Sequence, residues 1–236
     1  MEVLDVAPAG FDETMRRLLE SSDVDGIILT IPFKRAALAL CDELTQLAAT
    51  CGAVNAMRRS EDGRWLGANL DAPGFMSAIE ARGVVARDAR AFLCGLGGAG
   101  SAIGTALLLA GVSQLVATDA SPSAERSFHA LLPERLRERV AFGTVADQSF
   151  DLAVNASPTG MADYPGLPFD PRIVAPGGTV VDIVMKPDTT RLLEEAARAG
   201  LAVVRGIEML RGQLKAIEDF LAPAPDSAGP VLSTDG

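Results

Sequence analysis

Two groups of residues in this sequence have the types and the spacing to do chemistry. The first is Gly95-Leu96-Gly97-Gly98-Ala99-Gly100, which fits G-x-G-x-x-G between an apolar run ending at Cys94 and a helical segment opening at Ser101. In such a turn the first glycine allows the tight bend, the second lets the backbone approach a pyrophosphate, and the third lets helix and strand pack closely. The unpaired N–H groups of the helix N-terminus then receive the phosphates. Asp119 ends the next apolar run, 19 residues after Gly100, where an acid holds the adenosine ribose hydroxyls. The combination reads as a dinucleotide cradle. It also favours NAD over NADP, whose 2′-phosphate would meet Asp119 with like charge.

The second group is Lys34 and Asp71. Lysine occurs only at positions 34, 186 and 215, and arginine supplies the remaining basic charge, so Lys34 is not part of a solvating lysine surface. The sequence places it in the first turn of a helix opening near Pro32, where the macrodipole disfavours a cation by about 0.3 to 1 kcal/mol. Such a position suits proton transfer. Oxidation of an alcohol needs a group to take the hydroxyl proton as hydride leaves, and a lysine paired with a carboxylate can serve without metal or histidine. Asp71 is the natural partner, although an Asp just before a helix also reads as a simple N-cap.

These residues need elements to position them, and the chain alternates strands with helices in the way that implies a parallel sheet covered on both faces. A strand is expected over 26–30, helices over 34–40 and 43–50 with Asp42 capping the second, and a hairpin from 53–59 and 65–68 around Asp62-Gly63. A helix follows over 72–82. After a short polar stretch at 83–88 that could act as a hinge, a second unit begins. Strands are expected at 91–94, 115–118, 151–154, 179–184 and 201–204. Helices are expected over 101–110, closed by Gly111, from Ser121-Pro122 onward, over 189–199, stopped by Gly200, and over 207–221. The fold class is therefore α/β: a substrate domain at 1–84, a Rossmann dinucleotide-binding domain at 85–205, a helix at 206–222, and a disordered tail at 223–236.

Composition excludes several function classes. A net charge of −10 and a pI near 4.6 oppose sequence-independent binding to nucleic acid, which depends on clustered Lys and Arg. No stretch approaches the roughly 18 consecutive apolar residues of a membrane span. The first ten residues carry two acids and no base, so neither a secretory signal nor a transit peptide is visible and a cytoplasmic location is expected. The three cysteines, Cys41, Cys51 and Cys94, lack the spacing of a zinc site or a disulfide framework and read as small buried residues. The one histidine, His129, stands among charged neighbours and reads as a surface residue. No metal site is expected.

Seven motifs in order carry a resemblance. They are Thr30-Ile-Pro-Phe-Lys34, Gly52-Ala-Val-Asn55, Gly67-Ala-Asn-Leu-Asp71, the loop Gly95 to Gly100, Asn155-Ala-Ser-Pro-Thr-Gly-Met161, Asp182-Ile-Val-Met-Lys-Pro187 with Thr190-Arg-Leu-Leu193, and Gly206-Ile-Glu-Met-Leu-Arg-Gly-Gln213. Together they resemble the shikimate dehydrogenase family from about residue 26 to residue 221. The resemblance implies two α/β domains flanking a cleft, with the final helix returning to the substrate domain. It implies hydride exchange between a nicotinamide cofactor and a ring hydroxyl or ketone of shikimate, quinate or a related cyclic acid, as in the chorismate route of aromatic amino acid biosynthesis, and a possible homodimer. Lys34 and Asp71 would then be the catalytic pair, and Thr30, Asn55 and Gln213 would contact substrate. Gly95, Gly97, Gly98, Ala99, Gly100, Asp119, Ser157, Gly206 and Met209 would line the cofactor.

The sequence also departs from the family pattern. Ile28 stands for a usual Asn, Leu70 for a usual Thr or Ser, and Met185 for a usual Tyr, each removing a polar contact. The family's N-terminal Ser-x-Ser, which grips the substrate carboxylate, is not in the sequence, and residues 1–9 read like a second strand leaving for a helix, so a shortened N-terminus is expected. Two other readings stay open: a catalytically silent nucleotide-binding protein, and an oxidoreductase of the same fold acting on a less polar cyclic alcohol.

Overall fold

The computed structural model describes residues 2–143, 149–222 and 231–233, the last as backbone. In its first part, α1 (Phe11–Glu20) precedes β1 (Gly26–Ile28), β2 (Glu43–Thr45), α2 (Gln46–Cys51), β3 (Ala56–Arg59), β4 (Trp65–Ala68) and α3 (Asp71–Glu80). The sheet is mixed, in the order β1-β3-β4-β2: β1 and β4 run antiparallel to β3, and β2 runs parallel to β4. The expected hairpin is present, in the register Ala56 opposite Ala68 and Arg59 opposite Trp65. Phe11, Met15, Leu29, Val54, Met57 and Trp65 form the core on this side, with the Phe11 and Phe33 rings stacked at 4.5 Å. Of the tail expected to lack order, 223–230 and 234–236 lie outside the described residues. Val231–Ser233 instead form β11, antiparallel to β2.

Several local expectations change here. Residues 2–7 form no strand, and Pro8–Gly10 make one 3-10 turn that leads into α1. No helix opens at Pro32. Residues 31–35 form turns, closed by Phe33 N–H donating to Thr30 O, and Ala36–Leu40 follow as a 3-10 helix. The helix expected over 43–50 is split into β2 and α2, because Glu43 and Leu44 pair with β4 before the chain turns. The cap of α2 is accordingly Thr45, and Asp42 instead accepts the Trp65 N–H at 2.7 Å. Tertiary pairing overrides local helix preference wherever a sheet neighbour is available.

The second part holds β5 (Arg90–Cys94), α4 (Gly98–Ala110), β6 (Gln114–Thr118), α5 (Pro122–Leu131), α6 (Glu134–Arg137), β7 (Val140–Phe142), β8 (Phe150–Asn155), β9 (Val174–Asp182), α7 (Arg191–Arg198), β10 (Ala202–Arg205) and α8 (Gly206–Leu221). Its six strands are all parallel, in the order β10-β9-β8-β5-β6-β7. Counted within this sheet, that is the 3-2-1-4-5-6 order of a doubly wound fold, with its crevice where β5 lies between β6 and β8. Two caps fall where the sequence puts them: Gly111 takes a left-handed conformation after α4, and Ser121 precedes α5; at the start of α7, where no cap was expected, Thr190 accepts from Leu193 N–H. β7 is three half-buried residues long and has no alternation to announce it.

The stretch expected as a polar hinge is tied down. Ala86 is buried and Val84 is packed against the same core as Phe75, Leu93, Leu107 and Leu115. Helix α8 lies along α3 because two glycines remove the side chains between them. A Cβ on Gly74 would come within 2.9 Å of Gln213 Cα, and one on Gly212 within 2.7 Å of Gly74 O. That close crossing carries the last helix from the parallel sheet back to the mixed one.

Candidate active site

Asp71 is the first residue of α3 and does not cap it; the N–H of Asp71 is taken by Asn69 Oδ1 at 3.1 Å. Its carboxylate is therefore free for tertiary partners. Lys34 Nζ donates to Asp71 Oδ2 at 2.6 Å, with the two side chains only 12% and 4% exposed. Asn55 Nδ2 and Gln213 Nε2 both donate to Asp71 Oδ1, each at 2.9 Å. Asn55 reaches it because the β3–β4 hairpin brings residue 55 beside Ala68, and its own Oδ1 accepts Leu70 N–H at 2.8 Å. Gln213 reaches it from a position 142 residues away through the α3–α8 crossing.

Three sequence-expected residues thus meet at the carboxylate of a fourth. A buried pair of charges needs further hydrogen bonds to offset the cost of leaving water, and the two amides supply them. Lys34 sits in a turn between β1 and the 3-10 helix and not in the first turn of an α-helix, so the expected macrodipole does not act on it. Thr30 is exposed, four residues before Lys34.

The glycine loop lies against this pair. A Cβ on Gly98 would stand 3.3 Å from Lys34 Cδ, and a Cβ on Gly100 would overlap the carbonyl oxygen of Gly95, so loop and helix close only with glycine there. Gly95 has φ +97°, and a side chain on it would strike the backbone of Ala156 and Ser157 at 2.6–2.8 Å. At Gly97, by contrast, a Cβ would meet open space. That is the position where a bound pyrophosphate needs close backbone approach. Ala99 is the second residue of α4, among the helix N–H groups without intrahelical partners. Asp119 follows β6 and faces the loop: Oδ2 accepts Leu96 N–H at 2.7 Å and Oδ1 accepts Ser121 N–H at 2.8 Å. The open cradle, the unpaired amides and the acid fit a dinucleotide.

Behind the loop lies a buried polar network in which Ser157 alone had an expected role, at the cofactor. Asn155 Nδ2 donates to Asp182 Oδ1 at 3.0 Å and to Thr159 O at 2.9 Å, Val184 N–H donates to Asp182 Oδ1 at 3.0 Å, and Thr190 Oγ1 donates to Asp182 Oδ2 at 2.6 Å. Asn155 Oδ1 in turn accepts both the N–H and the hydroxyl of Ser157, at 3.0 and 2.7 Å. The network fixes the 155–161 loop beside Gly95. Its three parts lie in motifs already noted, so a buried Asn and Asp at successive strand ends was the signal available. Gly206 closes the same region, where a Cβ would hit Ile183 O and Val184 O. Met209 is buried in the main core with Leu96 and Phe75.

Burial pushes the Asp182 carboxyl above its ordinary range, against the opposing hydrogen bonds from Thr190, Val184 and Asn155. A raised folded-state pKa means stability that is full below the unfolded value and is lost as pH rises through the folded value. Asp182→Asn keeps the size and removes the charge. The variant is expected to melt near the wild type around pH 4 and to gain on it as pH rises toward 8. A difference in melting temperature that stays flat across that range would show that the charge at Asp182 has no energetic consequence.

Other titratable groups stand outside this arrangement. Burial raises the Cys41 and Cys51 thiols to about 12, consistent with inert packing residues. His129 is half-buried, its ring edge-on to Phe142. Among the described residues no group of His, Cys, Asp and Glu is placed to hold a metal, and no helix is long and apolar enough to cross a membrane. An open cavity of about 700 Å³ lined by Phe169, Arg172 and Arg198 shares no residue with the Lys34–Asp71 site.

The chain is similar in sequence and fold to several known proteins. A family model described as the shikimate dehydrogenase substrate binding domain matches residues 1–57. A quinate/shikimate dehydrogenase (NAD(+)) of Corynebacterium efficiens is 32% identical over 213 residues, 87% of this chain and 75% of that protein. The crystal structure of a Thermus thermophilus shikimate 5-dehydrogenase in complex with NADP(H) and shikimate superposes with a TM-score of 0.79 at 30% identity, covering 94% of this chain and 82% of that one. A ligand-free 5-ketofructose reductase of Gluconobacter superposes with a TM-score of 0.80 at 25% identity, over 95% and 83% of the two chains.

Proposed function

The chain belongs to the shikimate/quinate dehydrogenase family of NAD(P)-dependent oxidoreductases, and from that premise we propose that it interconverts a ring hydroxyl and a ketone of a cyclic hydroxy acid, using Lys34 as the proton-transfer group. The observation that carries this reading is the Lys34–Asp71 pair, desolvated and seated against Gly98 of the glycine loop. When bound, the nicotinamide supplies or accepts the hydride. Lys34 gives a proton to the carbonyl oxygen during reduction, or takes it from the hydroxyl during oxidation, and Asp71 balances its charge and holds its position. Asn55 and Gln213 lock Asp71 through Oδ1; Asn55 Oδ1 is taken by Leu70 N–H, so the Gln213 amide oxygen and the Thr30 hydroxyl are the groups that would meet substrate hydroxyls.

Ile28 and Met185 are exposed apolar side chains, and Leu70 precedes Asp71 in the chain, packed with Ala56 and Ala68; the polar residues usual at these three positions are thus replaced, which supports the second reading, a less polar cyclic substrate. A site that hydrogen-bonds hydroxyls discriminates through them far more sharply than an apolar wall does. For the cofactor we propose NAD in preference to NADP. Asp119 follows β6, and the carboxylate that holds Leu96 and Ser121 would meet a 2′-phosphate with like charge.

One set of measurements tests both statements: formation of reduced cofactor with shikimate, quinate and less hydroxylated cyclic acids, and dissociation constants for NAD and NADP. Turnover of at least one such acid with NAD, and tighter NAD binding, are expected. Absence of turnover across the series with intact cofactor binding would favour a catalytically silent member, and tighter NADP binding would remove Asp119 from the ribose site.

A further inference from the structure

The residue after the catalytic lysine is also a cation, and it crosses between the two sheets. Arg35 Nη2 donates to the carbonyl oxygen of Leu96 at 3.2 Å, inside the glycine loop. Leu96 is held on every side. Its N–H goes to Asp119 Oδ2 at 2.7 Å, and its carbonyl also accepts the Ser101 hydroxyl at 3.0 Å. Arg35 is exposed, and among the described residues this is the one hydrogen bond its side chain makes, from a group with five N–H donors. Lys34, next to it, is engaged by Asp71.

A dinucleotide brings two phosphate charges to a chain whose own net charge is −10. Backbone amides and a helix terminus receive these charges only as partial dipoles. A guanidinium already anchored to the loop adds a full charge and a planar fork that matches phosphate oxygens. Resting on the dinucleotide-binding reading above, we propose that Arg35 is a cofactor-binding residue contributed by the mixed-sheet part of the chain, which pairs its guanidinium with the pyrophosphate and ties that part to the glycine loop when the dinucleotide is bound. The neighbouring residues 34 and 35 thus divide the work, one on the substrate proton and one on the cofactor phosphates.

The test is NADH binding to the full chain, followed by fluorescence at low and high ionic strength, for wild type, Arg35→Ala, Arg35→Lys and Arg35→Gln. Loss of one charge-assisted hydrogen bond is expected to raise Kd about 10- to 100-fold in Arg35→Ala at low salt. The deficit should shrink at high salt, because the missing interaction is one that salt screens. Arg35→Gln retains an N–H donor for Leu96 O without the charge, so it should bind as weakly as the alanine variant, with Arg35→Lys intermediate. Wild-type affinity in Arg35→Ala, or full affinity in Arg35→Gln, would overturn the proposal, and so would a deficit independent of salt. Failure of the wild type itself to bind NADH is a separate result, which overturns the dinucleotide reading as well.

Discussion

Replacing Lys34 by alanine is expected to lower kcat by about 10² to 10⁴, the usual contribution of a positioned acid or base, while leaving the dissociation constant for the dinucleotide within a few-fold of wild type. The separation follows from the geometry. Nζ is turned to Asp71 Oδ2, and only the aliphatic stem of Lys34 touches the glycine loop, at Gly98. Removing the ammonium leaves Asp71 buried with two amide donors and no cation. Breaking a buried pair from one side costs about 3–5 kcal/mol when the remaining charge stays uncompensated, so a lower melting temperature is part of the expected result. Lys34→Met, which keeps the stem, distinguishes chemistry from packing: it should show the same loss of kcat with less loss of cofactor affinity. Near-normal turnover in either variant, measured on whichever acid the wild type accepts, would remove Lys34 from the mechanism.

The second large effect is expected in the cradle, from two glycines that differ in what surrounds them. At Gly97 a methyl group would enter open space, and φ is −67°, which alanine adopts freely. Gly97→Ala should therefore fold with an unchanged melting temperature. Its NADH affinity should nevertheless fall about 10- to 100-fold, because the new methyl occupies the approach to the pyrophosphate and disrupts a charge-assisted hydrogen bond worth about 1.5–3 kcal/mol. At Gly100 the methyl would overlap the Gly95 carbonyl, so Gly100→Ala should lose affinity and also stability, by about 1–3 kcal/mol as overpacking typically does. Comparing the two by thermal melting and fluorescence titration separates a ligand collision from a deformed loop. A Gly97→Ala protein that binds NADH like the wild type would mean that the dinucleotide does not approach this turn.

The linear sequence determined those parts of the molecule whose signal is local. A glycine turn between an apolar run and a helix, with an acid at the next strand end, is a short-range pattern in which each residue has its own steric or electrostatic reason. The strands and helices around it follow from apolar runs and from caps such as Gly111 and Ser121. Lys34 and Asp71 stood out by type and position, and Asn55 and Gln213 were named from their resemblance to family motifs, but the mutual geometry of the four is non-local. Asn55 arrives through hairpin register and Gln213 through a helix crossing that depends on Gly74 and Gly212, and no spacing in the sequence encodes either. Only the folded chain shows both amides donating to the carboxylate that neutralises Lys34.

The expectations that changed have a common cause. Residues 43–45 pair with β4 instead of opening a helix, residues 31–35 make turns, and residues 83–88 bury Ala86, each because a neighbour distant in sequence offers more burial or hydrogen bonding than local preference does. Arg35 shows the same limit. Its type and exposure are those of an ordinary surface arginine, and only tertiary structure sets its guanidinium on the carbonyl of Leu96, 61 residues away. Local steric and capping requirements are written in consecutive residues, whereas the pairing of buried charges is decided by which chain segments the two sheets bring within about 3 Å of one another.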